Sequence, residues 1–333
     1  MNNKALVVGI NKYPTCPLAH AARDAQDMAR LLERHADGSR NFSVIRSPDE
    51  LKKDVLRQKL RKLFLEGDGE TALFYFSGHG GNIANIGYIV TSDFTPGDEG
   101  ISVAEILAMA NESKFRNRVV ILDCCSAGMI CQTRSQDCGA PHIATGVTVL
   151  AACGSGECAV EGVESYSMSV GNGHGLFSRL VLAALEGGAA SVNGEVSPGG
   201  VYAAVDRSLG PWDQRPLFMA NVSGTVVLRK VNPPVELAVL RGLTDYFAEE
   251  DSLCPLDPSY EFTNDPNVKH ELVKPYANPD NVRIFKNLQR LERVGLVVPV
   301  GEEHLYFEAM RRGNCRLTPL GRHYWRLAKE NRI

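Results

Sequence analysis

The chain has 333 residues, of which 44% are hydrophobic and 23% charged, and its net charge is −3. This composition is typical of a folded globular protein, and the charge gives no global attraction to nucleic acid or to an anionic membrane surface. No apolar run approaches the roughly 18 residues of a membrane-spanning helix, and a strand-like run begins at Lys4, so we expect no signal peptide and no membrane partner.

Through residue 230, short apolar runs alternate with amphipathic stretches, which predicts strands and helices in turn. This alternation favours right-handed crossovers, so the predicted fold class is α/β, a mainly parallel sheet flanked by helices. Three polar stretches, 82–87, 93–100 and 129–146, are predicted to be loops. We predict strands at 4–10, 42–45, 72–77, 88–90, 119–123, 147–152 and 225–228, and helices at 20–36, 48–65, 103–110, 176–185 and 200–209.

The composition changes at Val231-Asn232-Pro233-Pro234, which is typical of a linker. We therefore divide the chain into a first domain at 1–230, a linker and helix at 231–280, and a C-terminal module at 281–333. The length allows one large domain and a smaller one.

The C-terminal module has the pattern of a helix, a wing and a second helix. A helix is predicted at 235–248, before the module; within it, a helix is predicted at 281–294 and a two-stranded wing from 295–298 and 305–307. Thr318, followed by a proline, predicts the N-cap of a final helix. These elements indicate a small α+β winged-helix-like module.

Two predicted strands of the first domain end at reactive side chains. The apolar run that opens at Ala72 leads into Gly78-His79-Gly80, and the run that opens at Val119 leads into Asp123-Cys124-Cys125. Catalytic groups of parallel sheets gather at the carboxyl ends of the strands. Two such strands side by side would bring His79 and Cys125 together.

A histidine beside a cysteine is the minimal equipment for thiolate catalysis. The imidazole raises the thiolate fraction and later protonates a leaving amine, so the pair can transfer an acyl group. The backbone amides of Gly80 and Cys125 could donate to the developing oxyanion. A buried structural cysteine and a satisfied core histidine are the alternative.

The two strand ends resemble those of caspase-like peptidases, in particular metacaspases and bacterial caspase homologues. Motifs of that family run approximately Tyr-Ser-Gly-His-Gly and Asp-(Ser/Cys)-Cys-(His/Tyr)-(Ser/Ala)-Gly, and the matching stretches here are 76–80 and 123–128. Blocks at 5–11, 22–25 and 148–152 also fit, so the resemblance covers about residues 4–230. It implies a cysteine endopeptidase acting on protein substrates, with Cys125 as nucleophile and His79 as base. Cys124 is the less favoured nucleophile, because the cysteine of the family motif lies two residues after the aspartate.

The resemblance also implies a specificity pocket. Metacaspases have an acidic pocket for the residue before the scissile bond, and the matching positions here are Asp24, Ser77 and Asp123. Two carboxylates would pair with a substrate Arg or Lys. True caspases instead hold a substrate aspartate with an arginine, and the matching position, near Leu18, carries no charge. We therefore expect cleavage after Arg or Lys.

No cofactor or metal is expected. Calcium dependence is the less favoured alternative, because calcium needs six to eight oxygen ligands and Ile101-Ser102-Val103-Ala104 stands where calcium-dependent metacaspases carry an acidic run. The nine cysteines are an odd number without framework spacing, which favours reduced thiols and a cytoplasmic location. A zinc site or redox switch formed by residues 131, 138, 153 and 158 is the alternative to ordinary thiols.

Regulation is expected because an unregulated protease is hazardous to its cell. Arg134, in the loop after Cys125, is a candidate processing site for an activating protease or for self-cleavage in a zymogen; an uncut surface loop is the alternative. Bacterial relatives serve in defence, including antiviral defence, and in stress cascades, so the resemblance implies such a role.

The C-terminal module raises the alternative function. Residues 283–333 contain 11 Lys and Arg against 5 Asp and Glu. A basic winged-helix-like module suits docking of a regulatory protein or DNA. The alternative hypothesis is therefore a catalytically silent caspase-like scaffold or a DNA-binding regulator.

Overall fold

The computed structural model describes residues 2–83, 86–124, 143–152, 173–210, 215–267 and 272–333. The chain forms two compact units, Met1–Asn232 and Pro233–Ile333.

Strands and helices alternate along most of the first unit, as the hydrophobic pattern predicts. The strands are β1 (Asn3–Gly9), β2 (Phe42–Arg46), β3 (Thr71–Ser77), β4 (Gly80–Ile83), β5 (Ile86–Thr95), β6 (Asp98–Ser102), β7 (Asn117–Asp123), β8 (Val147–Ala151), β9 (Glu195–Val196), β10 (Leu217–Asn221) and β11 (Arg229–Lys230). The helices are α1 (Ala21–Glu33), α2 (Lys53–Phe64), α3 (Val103–Glu112), α4 (Leu176–Ala183) and α5 (Pro198–Ser208).

The main sheet runs in the order β10-β8-β7-β3-β1-β2 among the described residues. All its neighbouring strands are parallel except β10, which is antiparallel to β8. Helices cover both faces, which explains why β3 and β7 are almost continuously apolar. The predicted mainly parallel sheet flanked by helices is confirmed.

The two faces of β3 belong to different hydrophobic cores. Phe74 and Phe76 pack with residues of α2 and α3 on one face, whereas Leu73 and Tyr75 pack with residues of α1 and α4 on the other. This division follows from the two-residue period of a strand. Burial on both faces holds the carboxyl end of β3, and therefore the segment that contains His79, in a fixed place.

The predicted loops at 82–87 and 93–100 are wrong. Residues 80–83 and 86–102 contain a separate antiparallel sheet in the order β4-β5-β6. Gly97, with φ of 89°, lies in the turn between β5 and β6, where the left-handed region favours glycine. The predicted strand at 88–90 lies within β5, and the rest of the sheet was not predicted because the sequence there is polar and β5 carries exposed residues near its end.

Other boundaries differ from the expectations. The predicted strand at 225–228 is not a strand; the chain there leads into β11, which pairs with β9. The strand β10 was not predicted, although it completes the sheet beside β8. Of the predicted loop at 129–146, residues 129–142 lie outside the described part of the chain.

The second unit contains a small antiparallel sheet. Its strands pair in the order β12-β14-β13. The elements are α6 (Leu237–Arg241), α7 (Leu243–Tyr246), β12 (Leu253–Pro255), α8 (Pro279–Arg293), β13 (Val297–Pro299), α9 (Leu305–Met310), β14 (Asn314–Leu317) and α10 (Pro319–Lys329).

The predicted wing strand at 305–307 is wrong, because these residues begin α9 and the partner of β13 is β14. Three apolar residues fit a helical turn as well as a strand. The predicted N-cap is confirmed, since the Thr318 hydroxyl accepts a hydrogen bond from the Gly321 amide at 3.0 Å. The winged-helix interpretation of this unit stays a prediction. Across the described ranges, no helix is long and apolar enough to cross a membrane.

Candidate active site

The predicted catalytic residues follow two adjacent parallel strands. Ser77 and Asp123 are partners in the register of β3 and β7, and the Gly78 amide donates to the Asp123 carbonyl at 3.2 Å. His79 lies two residues beyond Ser77, and Cys125 two residues beyond Asp123. Cys125 lies outside the described residues, so its contact with His79 stays a prediction.

Glycine at position 78 is required by close packing. A Cβ there would lie 2.6 Å from the Tyr13 hydroxyl and 2.8 Å from the Phe76 ring. Neither neighbour can retreat easily, since both side chains are buried. The bare backbone lets the chain turn out of β3 and present His79 at the edge of the sheet.

The backbone of His79 is held on both sides. Its N–H donates to the Tyr13 hydroxyl at 3.0 Å, and its carbonyl accepts from the Val90 amide at 2.9 Å. The Tyr13 ring also lies against the imidazole, with centroids 4.6 Å apart. The position of His79 therefore depends on β3, on β5 and on the segment after β1.

The imidazole of His79 has a defined hydrogen-bond partner. Its Nε2 atom lies 2.7 Å from the Cys16 carbonyl oxygen. A carbonyl oxygen only accepts, so Nε2 must carry the hydrogen. In the neutral ring Nδ1 then has the free lone pair, which is the state that a general base requires.

Tyr13 is a positioning residue in this arrangement. Its hydroxyl accepts from His79 and donates to the Val90 carbonyl at 3.3 Å. Burial raises the pKa of Tyr13 well above its usual value, so the hydroxyl keeps its proton at any physiological pH.

Asp24, predicted to line a substrate pocket, lies at the start of α1 and is 1% exposed. Its carboxylate accepts from His174 Nδ1 at 2.6 Å, from the Gly175 amide at 3.3 Å and from the Ser77 hydroxyl at 3.3 Å. Asp24 and Ser77 are therefore in contact, and residues at the start of α4 take up most of the hydrogen-bonding capacity of this carboxylate.

Asp123 also contacts residues at the start of α4. Its Oδ2 atom accepts from the Ser178 amide at 3.2 Å and from the Ser178 hydroxyl, which also contacts the Tyr75 hydroxyl. A Cβ added to Gly175 would lie 3.2 Å from Asp123 Oδ2 and 3.3 Å from Asp24 Oδ2. The two carboxylates thus flank one glycine, and they share a confined space.

Burial raises the pKa values of both carboxyl groups. Burial raises the pKa of Asp24 above its usual value, although the hydrogen bonds from His174, Gly175 and Ser77 oppose the rise. Burial, with a further contribution from the charge of Asp24, raises the pKa of Asp123 to about 6. Perturbed carboxyl groups at a strand end are typical of functional sites.

The remaining predicted residues have different outcomes. Gly80 opens β4 directly after His79, and its role towards an oxyanion stays a prediction. Arg134 lies outside the described residues, as do the four cysteines considered for zinc. Within the described ranges, no three His, Cys, Asp or Glu side chains are grouped as a metal site. Among the described residues, Cys16, Cys124, Cys254 and Cys315 form no disulfide.

The sequence did not single out His174, Ser178, Tyr13 or the Cys16 carbonyl. His174 and Ser178 lie far from Asp24 and Asp123 in sequence, so no local spacing connects them. The available signal was a pair of polar residues at the start of the predicted helix 176–185: His174 precedes it, and Ser178 lies in its first turn. The aromatic residue shortly after β1 was the signal for Tyr13.

A comparison with protein families agrees with this architecture. The family model of the caspase domain matches residues 2–187. None of the curated proteins matches the chain. Among solved structures, the crystal structure of protein GSU0716 from Geobacter sulfurreducens has 16% identity and a TM-score of 0.48, and the match covers 70% of this chain and 98% of that one. The family match spans more than half of the chain, which therefore belongs to the caspase-domain family.

Proposed function

We propose that this protein is a cysteine endopeptidase that cleaves protein substrates after Arg or Lys, with Cys125 as nucleophile and His79 as general base. The observation that carries the proposal is the register of β3 and β7 combined with the hydrogen bond of His79. Ser77 and Asp123 are paired, and Nε2 of His79 is held by the Cys16 carbonyl, so Nδ1 remains to accept a proton.

The proposed reaction has two halves. The Cys125 thiol gives its proton to Nδ1 of His79, and the thiolate attacks the peptide carbonyl carbon, so that a C–S bond forms. The amides of Gly80 and Cys125 stabilise the oxyanion. When the C–N bond breaks, the imidazolium protonates the leaving amine. Water then attacks the thioester, His79 accepts its proton, and the C–S bond breaks.

The proposed preference for basic residues depends on two carboxylates and one hydroxyl. Ser77 Oγ lies 3.3 Å from Asp24 Oδ2, and the carboxylates of Asp24 and Asp123 both lie beside Gly175, which precedes α4. A buried carboxylate binds a guanidinium or ammonium group through charge-assisted hydrogen bonds. An aspartate at the same substrate position would be repelled.

Regulation as a zymogen belongs to the proposal. Cleavage after Arg134 by an activating protease, or by a second copy of this enzyme, would fit the preference for basic residues. A place in a bacterial defence or stress cascade is supported only by the resemblance of the motifs to those of bacterial relatives.

The test is cleavage of peptide-coumarin substrates that end in Arg, Lys or Asp. We expect release of coumarin from the Arg and Lys peptides, loss of this activity in Cys125→Ala, and retention in Cys124→Ala, the matched control one residue away. Release from the Asp peptide alone would overturn the specificity. If no substrate releases coumarin, either before or after trypsin treatment that cuts at Arg134, the assignment as a peptidase is wrong.

A second candidate function rests on α8. Arg283, Lys286, Arg290 and Arg293 are exposed and recur at helical spacing, so they form one cationic stripe. Asp280 pairs with the first of them at 3.7 Å, and Glu236 pairs with Arg290 at 3.7 Å, which reduces the charge. A regulator that binds DNA would show duplex affinity that falls steeply with salt. Fluorescence anisotropy with a labelled duplex at 50 and 200 mM salt tests this candidate.

A further inference from the structure

We propose that Cys254 and Cys315 form a redox-sensitive pair in the second unit and that a peroxide converts their two thiols into a reversible disulfide. Both residues belong to the second unit, so the inference does not depend on the proposed peptidase activity. The caspase-domain match ends at residue 187 and therefore assigns no role to either cysteine.

The two cysteines face each other across neighbouring antiparallel strands. Cys254 of β12 is the register partner of Cys315 of β14. Two residues further along the same ladder, the Leu256 amide donates to the Gly313 carbonyl at 2.9 Å. Hydrogen-bonded pairs recur at every second position of an antiparallel ladder, so the cysteines also occupy such a pair. Their Cα atoms are then about 5.5 Å apart, a separation that a disulfide spans.

The side chains of the pair are in contact. Residues directly opposite each other point to the same face of a sheet, and a hydrogen bond joins the two thiols. This bond lowers the pKa of Cys254, whereas the same bond together with burial raises the pKa of Cys315. Cys254 therefore ionises first, and the thiolate is the form that an oxidant attacks.

The position of β12 gives an oxidant access to the pair. β12 is the edge strand of its three-stranded sheet, and among the described strands it pairs with β14 alone. Leu253, next to the pair, is 52% exposed, and Cys254 is 7% exposed against 0% for Cys315. A short edge strand opens locally more easily than a central strand. A small peroxide thus reaches Cys254 before Cys315.

The oxidation has two steps. The Cys254 thiolate attacks one oxygen of hydrogen peroxide, the O–O bond breaks, and a sulfenic acid forms while the departing hydroxide takes up the thiol proton as water. The Cys315 sulfur then attacks the sulfenic sulfur, the S–O bond breaks, and a second water leaves with the Cys315 proton. In total, two thiols are oxidised to one disulfide, and one peroxide is reduced to two waters.

The disulfide would tie β12 to β14 and close the chain around α8, β13 and α9. A cross-link across a long segment stabilises the fold because it restricts the unfolded chain. Opposite Cβ atoms in a sheet are about 4.5–5.5 Å apart, whereas a disulfide holds them at about 3.5–4.5 Å, so the two strands must approach each other. A disulfide formed against such strain is readily reduced, which makes the oxidation reversible.

The first test maps the disulfide directly. The full chain is treated with hydrogen peroxide, the remaining thiols are alkylated with N-ethylmaleimide under denaturing conditions, and the tryptic peptides are analysed without reductant. Cys254 and Cys315 lie in peptides 242–269 and 313–316. We expect these two peptides joined, and separated again after dithiothreitol. Cys16, an exposed thiol outside the pair, shows in the same map that the oxidant has acted.

The second test measures the effect on stability. The indole of Trp325 in α10 is buried and donates to the Phe247 carbonyl at 2.7 Å, so its fluorescence reports unfolding of the second unit. The chain has two tryptophans, and Trp212→Phe leaves Trp325 as the only one. We expect peroxide to raise the midpoint of urea unfolding by about 1 M and dithiothreitol to reverse the shift.

Matched variants separate the pair from other thiols. In the same background, Cys315→Ala should lose both the linked peptides and the shift in midpoint, whereas Cys16→Ser should keep both. Cys254→Ala replaces Cys315→Ala if the latter does not fold, and the peptide map of the unsubstituted chain needs neither variant.

Two results would overturn the inference. In the first, peroxide oxidises Cys16 completely while Cys254 and Cys315 are both recovered as alkylated thiols. In the second, Cys254 becomes a sulfinic acid or links to a cysteine other than Cys315. Either result would leave the proposed peptidase untouched, because the coumarin assay measures the first unit.

Discussion

Replacing Asp123 with asparagine should stabilise the protein at neutral pH while it weakens the proposed binding of a basic side chain. The carboxyl group lies at the end of β7, where burial and the charge of Asp24 raise its pKa from 3.8 to about 6. An ionised Asp123 is therefore unfavourable in the folded state.

The magnitude follows from the shift in pKa. A rise from 3.8 to about 6 corresponds to about 3 kcal/mol of unfavourable free energy once the group is ionised. Below pH 3.8 the group is protonated in both states and the penalty is absent; it grows as the pH rises and is complete above about pH 6. The Ser178 bond to a neutral amide is weaker by about 1 kcal/mol, so we expect a net gain of about 2 kcal/mol in Asp123→Asn at pH 7.5.

The assay is urea unfolding of the full chain, followed by circular dichroism between pH 4 and pH 8. The difference in free energy of unfolding between Asp123→Asn and the wild-type protein should increase with pH and level off above about pH 6.5. Asp37→Asn is the control, because hydrogen bonds from Ser39 lower the pKa of that exposed carboxyl and its pH effect has the opposite sign. A difference that stays flat or falls with pH would refute the reasoning.

Further predictions concern the support of His79 and the second unit. Tyr13→Phe keeps the ring but removes the acceptor of the His79 amide, so kcat should fall about tenfold with KM unchanged, as steady-state kinetics with an Arg peptide would show; a change in KM alone would contradict a positioning role. Gly78→Ala places a Cβ against the Tyr13 hydroxyl and should lower the free energy of unfolding by about 1–3 kcal/mol in urea titrations, whereas unchanged stability would show that the turn can relax. Thr318→Ala removes the N-cap bond to Gly321 and should cost about 1 kcal/mol in the same measurement, with Thr318→Ser as the variant that restores it.

Much of the main sheet could be predicted because its strands are buried on both faces. The runs that become β1, β3, β7 and β8 are nearly all apolar. An apolar run of that length, bounded by small residues, fits few secondary structures other than a buried strand. Of the sheet of β4, β5 and β6, only residues 88–90 of β5 were predicted as a strand, because the other strand residues are partly exposed and polar. The strand β10 pairs at the edge of the main sheet, where burial on one side leaves a weaker pattern.

The candidate site shows the same division between local and distant information. Asp24, Ser77 and Asp123, which the motifs predicted to share a pocket, lie together; their role in binding substrate stays a prediction. The partner of Asp24, His174, comes from 150 residues further along the chain. Only the packing of α4 against α1 brings it there, and no spacing in the sequence records that contact.

The identity of the nucleophile is the central claim, and covalent labelling tests it most directly. The protein is treated with a peptidyl-arginine acyloxymethyl ketone, and the adduct is located by mass spectrometry in the wild-type chain and in His79→Ala, each before and after trypsin cleavage at Arg134. We expect the wild-type adduct on Cys125 alone, with at least a hundredfold slower labelling in His79→Ala. An adduct on Cys124 or Cys16, or equal labelling rates in both proteins, would contradict the Cys125–His79 pair.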